Sequence, residues 1–299
     1  MQQVFDRCGF CLGGRMLEAR TDADGIRADT WTCAILRREQ FARREHAPEW
    51  PLPCVVMEEP DFTRLADLHA LGDEPVPQIV HQVAEGRPVE LVWRNDLGGL
   101  TFRIDDTFLK WNPRSTGIDL DRERTRLNWI STRHPAPRVI RFGMDGDAQW
   151  LLTAGLGGGP AVGDQWRARR SEAIAAIATG LRAIHALPTD DFPTAWTSQA
   201  WVGRRPASLE VPPLIEQPVL VHGDACAPNT LISDEGHWVG HVDFGDLAIG
   251  DIWADLAIAS LSLDWNFGEG HHDELFDAYG VAPDAERISY YRALWEAAS

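Results

Sequence analysis

Short apolar runs separated by turn residues fill the chain from about residue 74 to residue 154. Runs of four to seven residues bounded by Gly, Asn and Asp are typical of strands. They predict five strands, at residues 89–93, 100–104, 107–111, 139–142 and 150–153. Between the third and fourth strands, apolar residues at helical spacing among many charges predict a helix at residues 119–131. This part of the chain is therefore expected to form a small lobe built mainly on a β-sheet.

The hydrophobic pattern changes to helical spacing after residue 170. Four apolar residues recur at intervals of three and four, and they are Ile174, Ile177, Leu181 and Ile184. Pro188 ends this helix, and we expect His185, beside the apolar stripe, to be a packing residue. The run 253–263 is apolar on nearly every side, which predicts a buried helix. Asp255 lies inside that run, where an unpaired charge would be costly.

A third pattern lies between these regions. Residues 230–232 and 238–242 read as two strands joined by a turn at 233–236. A hairpin there brings Asp243, at its end, beside the loop that holds Asp224 and Asn229. Each residue alone is explained by turn chemistry, but together they suit phosphoryl transfer.

The three side chains divide into two chemical roles. Magnesium needs hard oxygen ligands and usually takes only one or two carboxylates, with phosphates and water completing its shell. Asn229 and Asp243 fit that need. Asp224 is then free to orient an attacking hydroxyl and accept its proton.

The motifs HGDxxxxN, DFG and GDxWxDLA, read from His222 onward, resemble those of the aminoglycoside phosphotransferase family. The resemblance covers roughly residue 74 to the C-terminus and implies ATP, or GTP, and Mg²⁺ as cofactors. It makes Asp224 the catalytic residue, Asn229 and Asp243 the magnesium ligands, and His222 and Asp251 structural braces of the catalytic loop. The C-terminal segment 286–295 is most similar to the 3′-type members.

The resemblance implies an α+β fold with two lobes like that of protein kinases. A small antiparallel β-rich N-terminal lobe would comprise residues 73–154, and a larger helical C-terminal lobe residues 155–299. Residues 1–72 form an N-terminal extension for which no structure is predicted. Cys8, Cys11, Cys33 and Cys54 of the extension could make a zinc site, but no second CxxC occurs and the gaps suit a zinc ribbon poorly.

Lys110 is the only lysine of the 299 residues. Where arginine and lysine are interchangeable this chain uses arginine, so a lysine indicates a site that needs a compact ammonium group. It lies on the strand after a glycine turn, where a kinase-like fold needs its phosphate-binding lysine. By resemblance, Glu123 is the acid that pairs with it, although a solvated helical charge is the alternative.

Two further segments are candidates for nucleotide binding. Gly98 and Gly99 lie in a turn between two strands, where missing side chains let backbone amides approach phosphate. By resemblance, residues 153–156 form the hinge between the lobes, where the backbone at Ala154 and Leu156 would bind adenine. Gly157 to Gly159 read as flexible linkage, because no helix start with Lys-Ser/Thr follows.

The net charge of the chain restricts the classes of molecule that it could bind. The net charge is −17, and residues 57–299 carry all of the excess because residues 1–56 have equal numbers of acidic and basic side chains. Such a surface repels nucleic acid and anionic membranes and would attract a small polycation. No apolar run approaches the roughly 20 residues of a membrane span, and charges interrupt residues 1–25, so we expect a cytoplasmic protein. Five cysteines do not indicate a disulfide framework.

The sequence only partly defines the molecule that would accept the phosphoryl group. The few residues between Asp243 and Asp251 leave no room for a long activation segment that could bind a peptide. Acidic residues that could hold ammonium groups of a small substrate are Asp264, Glu269 and Glu296. Kinases of another antibiotic or an amino alcohol, and a nucleotide-binding protein without turnover, remain alternatives. The pair His271-His272 has no close third ligand and reads as surface, and the oligomeric state stays open.

Overall fold

The computed structural model describes residues 76–95, 97–209 and 211–298. The extension 1–72 and its boundary with the first lobe lie outside the described residues. The zinc alternative for Cys8, Cys11, Cys33 and Cys54 lies there too.

The first lobe is a five-stranded antiparallel sheet with one helix on each side. Its strands lie in the order β1-β2-β3-β5-β4. The elements are α1 (Gln78–Ala84), β1 (Glu90–Arg94), β2 (Leu100–Ile104), β3 (Thr107–Pro113), a 3₁₀ helix (Arg114–Thr116), α2 (Leu120–Ile130), β4 (Arg138–Asp145) and β5 (Ala148–Ala154). All five predicted strands and the predicted helix are confirmed.

Alternate residues of β5 face different cores, because successive side chains of a strand point to opposite faces. Trp150 and Leu152 pack with α1, whose buried residues are Val80 and Ala84. Leu151 belongs to the other core, which joins the apolar face of α2 to residues of the second lobe. The members of that core include Leu120, Leu127, Ile130, Leu220, Phe244 and Leu247. Helix α2 is thus packed between the sheet and the second lobe.

The second lobe is mainly helical, as expected. Its helices are α3 (Asp164–Ala168), α4 (Arg170–His185), α5 (Ile252–Phe267), α6 (His272–Tyr279) and α7 (Ala285–Ala298), with 3₁₀ helices at Thr194–Gln199, Trp201–Gly203 and Ala227–Asn229. The predicted all-round burial of α5 is confirmed, since every residue from Trp253 to Leu263 is buried. Among the described residues, no helix has the length and apolarity needed to cross a membrane.

Short strands complete the second lobe and position its loops. They are β6 (Gly159–Pro160), β7 (Val219–Val221), β8 (Thr230–Ile232), β9 (Trp238–His241) and β10 (Ala248–Gly250). Strand β7 pairs with β10, and β8 lies between β6 and β9. The predicted β8–β9 hairpin is confirmed, and Gly236 in its turn has a φ of +90° that favours glycine. The segment after β7 and the segment after β9 therefore lie side by side.

A buried histidine pair lies behind these segments. Nε2 of His134 is 2.9 Å from Nδ1 of His241, and the two rings stack with centroids 5.2 Å apart. Phe244 contacts the edge of His134. Burial lowers the pKa of His134 to about 4, and the nearby His222 adds to this effect. Burial likewise lowers the pKa of His241 well below its usual value. Both rings are neutral in the folded protein at neutral pH.

We expect this pair to make stability depend on pH. In the unfolded chain His134 binds a proton near pH 6.5, but in the folded protein only near pH 4. The unfolded state therefore binds more protons between these values, so stability is lost as pH falls through this window. His134→Gln should reduce the slope of unfolding free energy against pH by up to about 1.4 kcal/mol per pH unit. Denaturant titrations from pH 7 to pH 4 measure the slope.

His237→Gln, at an exposed position in the β8–β9 turn, is the matched control and should leave the slope unchanged. An unchanged slope in His134→Gln would contradict the assignment.

Candidate active site

The loop between β7 and β8 holds Asp224, the predicted base. Gly223 has a φ of +83°, and a Cβ there would lie 2.1 Å from the carbonyl oxygen of Asp246, so only glycine fits. The backbone N–H of Asp224 donates to Nδ1 of His222 at 3.2 Å. Nε2 of His222 lies 3.0 Å from the carbonyl oxygen of Val242, to which it donates as the neutral tautomer. His222 therefore ties the turn to the end of β9.

Asp224, Asn229 and Asp243 come together as the sequence predicted. Nδ2 of Asn229 donates to Oδ2 of Asp224 at 2.9 Å and to its carbonyl oxygen at 3.0 Å. The N–H of Val242 donates to the carbonyl oxygen of Asn229 at 3.0 Å, which sets Asp243 beside the loop. Asp243 has a φ of +67°, a conformation that is uncommon for residues other than glycine.

Lys110 connects the two lobes at this site. Its Nζ lies 2.7 Å from Oε1 of Glu123 on α2 and 3.2 Å from Oδ1 of Asp243. Burial alone would lower the pKa of Lys110, but the two carboxylates raise it above its usual value. Burial also opposes ionisation of Asp243, yet Lys110 lowers the pKa of that carboxyl. The lysine is therefore positively charged and held between two acids.

Asn229 and Asp243 fit a magnesium ion through their oxygen atoms. Because Nδ2 of Asn229 is committed to Asp224, the amide oxygen is the atom left for a cation. Within the described residues, no group of three or more His, Cys, Asp or Glu side chains could hold a metal. This small donor set suits a cation that shares its shell with phosphates and water.

The carboxylate of Asp224 is a stronger base than a free aspartate. Burial raises the pKa of Asp224, and the negative charge of Asp243 raises it further. A hydrogen bond from the thiol of Cys226 acts in the opposite direction. A carboxylate with a raised pKa accepts a proton more readily from a substrate hydroxyl.

The prediction that Asp251 braces the catalytic loop is wrong. Asp251 instead caps α5 by accepting from the N–H of Trp253 at 3.1 Å, and it pairs with Arg287 of α7. A residue at the cap position lies outside the helix it starts, so its carboxylate is turned to the first helical turn.

Asp255, one turn into α5, is the brace. Its two carboxylate oxygens accept from the N–H groups of His222 at 2.7 Å and Gly223 at 3.0 Å. Nε2 of His185 lies 2.9 Å from the same carboxylate, and Nδ1 of that ring lies 2.8 Å from the hydroxyl of Tyr279. His185, predicted to be only a packing residue, thus belongs to the support of the loop. The lone acid in the apolar run 253–263 was the sequence signal for such a partner.

The glycine turn is more closed than the sequence suggested. Gly98 has a φ of +91°, and a Cβ at Gly99 would overlap the side chain of Asn112. The N–H groups of Leu97 and Gly99 both donate to Oδ1 of Asn95, and that of Gly98 donates to its carbonyl oxygen. These amides are therefore satisfied within the turn, and phosphate binding by Gly98 and Gly99 stays a prediction.

The hinge lies where the first lobe meets the second. Ala154 ends β5, and the N–H of Gly155 donates to the carbonyl oxygen of Asp106 at 2.7 Å. The side chain of Leu156 packs against Gly240 of β9. The segment therefore passes directly from the sheet to the second lobe, and adenine binding by Ala154 and Leu156 stays a prediction.

The three candidate substrate residues lie at the C-terminal end of α5 and beyond it. Asp264 is 2.8 Å from Nε2 of His272, and Glu274 is 4.0 Å from Nδ1 of His271, so each of the two histidines has an acidic neighbour. Glu269, between α5 and α6, and Glu296, on α7, are exposed. The side chain of Ser262 accepts from the N–H of Ala227 in the catalytic loop at 2.9 Å, so this end of α5 borders the loop. Substrate binding by these acids stays a prediction.

The Asp255 brace should contribute strongly to stability. In Asp255→Asn, the amide offers one acceptor where two backbone N–H groups need one each, and the buried charge is lost. We expect the unfolding free energy to fall by about 2–4 kcal/mol. Asp264→Asn, which alters a partly exposed contact with His272, is the control and should lose less than about 1 kcal/mol. Equal losses in urea titrations of the two variants would refute the brace.

Comparison with known proteins agrees with this geometry. The sequence profile described as the phosphotransferase enzyme family matches residues 82–210 and 199–293. An aminoglycoside 3′-phosphotransferase of Streptomyces fradiae is 31% identical over 222 residues, which are 62% of this chain and 81% of the relative. Another, from Streptomyces ribosidificus, is 29% identical over 69% of this chain and 94% of its own. The solved aminoglycoside-3′-phosphotransferase of type VIII has 25% identity and a TM-score of 0.57, covering 73% of this chain and 97% of that one. The chain belongs to the aminoglycoside phosphotransferase family of phosphotransferase enzymes.

Proposed function

We propose that this protein is a magnesium-dependent kinase that transfers the γ-phosphoryl group of ATP, or of GTP, to the 3′-hydroxyl of an aminoglycoside. The observation that carries the proposal is the constellation at the lobe junction. Lys110 pairs with Asp243 at 3.2 Å, and Asn229 binds Asp224 at 2.9 Å, so the groups for phosphate, metal and proton transfer adjoin one another.

Asp224 acts on the acceptor. Its carboxylate would accept a hydrogen bond from the attacking hydroxyl and then take the proton as the new P–O bond forms. The hydrogen bond from Asn229 fixes the direction of that carboxylate. Since the transition state of phosphoryl transfer is loose, positioning is expected to contribute more than proton removal.

Lys110 acts on the nucleotide. Glu123 holds its ammonium group in the cleft, where it would neutralise phosphate oxygens as charge moves towards the leaving group. Asn229 and Asp243 would hold the magnesium ion, which when bound supplies further positive charge and orients the phosphates. The excess of acidic residues outside residues 1–56 supports a polycationic acceptor.

The proposal predicts a position-specific reaction. Nucleoside diphosphate release should be measured with ATP and then GTP, with magnesium, across aminoglycosides that include a pair differing only in the 3′-hydroxyl. We expect turnover of the hydroxyl-bearing member and none of its 3′-deoxy partner.

Equal turnover of both members would show that a hydroxyl other than the 3′-hydroxyl is phosphorylated. Silence across the panel, with nucleotide still bound, would favour another small hydroxyl-bearing substrate. A different outcome would favour a binding protein without turnover: no compound causes release of diphosphate, and the bound nucleotide is still intact after prolonged incubation.

Asp224→Asn should separate chemistry from binding. Loss of the base is expected to lower kcat by about 10²- to 10⁴-fold, while the Kd for nucleotide, measured by calorimetry, changes little. Asp234→Asn, at an exposed position in the β8–β9 turn, provides the control and should keep full activity. Retention of wild-type kcat by Asp224→Asn would remove Asp224 from the reaction.

A further inference from the structure

Helix α2 presents two arginines, one turn apart, to the second lobe. Arg126 is only 1% exposed. Its Nη1 donates to the carbonyl oxygen of Gly245, and its Nη2 donates to that of Trp196 at 2.9 Å. The guanidinium also lies over the Trp196 ring, 5.8 Å from the centroid. One buried side chain thus binds two segments of the second lobe.

Arg122 reaches the same two segments. Its Nη1 donates to the carbonyl oxygen of Gln199 at 3.2 Å, and its Nη2 lies 3.5 Å from Oδ1 of Asp246. We call Arg122 and Arg126 the arginine clamp. The clamp joins α2 to residues 245–246, which follow Asp243 directly, and to the 3₁₀ helix Thr194–Gln199.

Burying the charged side chain of Arg126 between the two lobes costs free energy. Burial lowers the pKa of Arg126 to about 10, and the positive charge of Arg122 lowers it further. Nε of Arg126 is buried and has no hydrogen-bond partner within the described residues. Apolar side chains already join α2 to the second lobe, because Leu127 and Phe244 share one core. A planar guanidinium adds what apolar packing lacks, which is a fixed direction for two carbonyl groups.

The position of Arg126 connects it to the predicted magnesium ligand. Gly245 is two residues after Asp243, which keeps an unfavourable positive φ. Glu123, on the same helix, holds Lys110, and Lys110 in turn pairs with Asp243. Helix α2 therefore holds Asp243 from two directions, through its side chain by way of Lys110 and through its backbone by way of Arg126.

We propose that Arg126 is a positioning residue for Asp243, and that it aims this carboxylate at magnesium by holding the Gly245 carbonyl against α2. The inference rests on the proposed function, because it presupposes that magnesium and nucleotide bind together at this site. Groups that orient a metal ligand typically change metal affinity by about 10- to 100-fold when they are removed.

Nucleotide binding at a series of magnesium concentrations tests the proposal in the full-length chain. Binding of a non-hydrolysable ATP analogue is measured by calorimetry, first without metal and then with increasing Mg²⁺. Arg126→Gln should raise the Mg²⁺ concentration that gives half of the metal-dependent gain in affinity by about 10- to 100-fold. The metal-free Kd should change less than about threefold.

Three further variants make the result specific. Arg126→Lys should have an intermediate effect, because an ammonium group can bind one carbonyl in a fixed direction but does not reproduce the fork. Arg124→Gln, which removes the pair with Asp121 on the more exposed side of α2, should leave the magnesium dependence unchanged. In an Asp243→Asn background, Arg126→Gln should cause no additional loss.

The outcomes separate the inference from the proposed function. An unchanged magnesium dependence in Arg126→Gln and Arg126→Lys overturns the inference and leaves the kinase proposal standing. An equal loss of metal-free and metal-dependent binding also overturns it, because Arg126 would then only support the lobes. Wild-type binding that is indifferent to Mg²⁺ overturns both.

Discussion

The buried carboxylate of Asp255 is the constraint on which the catalytic loop depends. It binds two successive backbone N–H groups, of His222 and Gly223, and so fixes the turn that only a glycine can make. A buried charge in the first turn of an apolar helix is tolerable because these donors and His185 surround it. The direction of Asp224, one residue further, follows from that turn. The carboxylate of Asp224 is thus held in one position because the buried carboxylate of Asp255 has all its hydrogen-bond partners.

A second constraint comes from α2, which acts on both lobes at once. Its apolar face packs against β5 and against Phe244 in one core. Its charged face holds Lys110 through Glu123 and the segment after Asp243 through the arginine clamp. Any shift of α2 would therefore move Lys110 and Asp243 together. In the proposed function, phosphate binding by Lys110 and magnesium binding by Asp243 are coupled through this one helix.

The sequence predicts the five strands and α2 of the first lobe, α4, α5 and the β8–β9 hairpin of the second lobe, and the three central side chains, because strand runs, helical spacing and the HGD and DFG motifs are local signals. The motif resemblance assigns the brace to Asp251, whereas Asp255 supplies it, because the two residues stand one helical turn apart and only the start of α5 decides which of them faces the loop. The closed form of the glycine turn could not be predicted, because the amides of Leu97 and Gly99 donate to the side chain of Asn95. Arg126 gave no signal at all, because its partners are backbone carbonyls 70 and 119 residues away.

The thiol of Cys226 has a consequence for inhibition of this enzyme. Burial and the neighbouring charge of Asp224 raise the pKa of Cys226 well above its usual value. The sulfur is therefore protonated at neutral pH, whereas electrophilic reagents react with the thiolate. Cys226 lies two residues from Asp224, the proposed catalytic base, where a covalent inhibitor could be directed. Its environment makes it a slow target for such a compound.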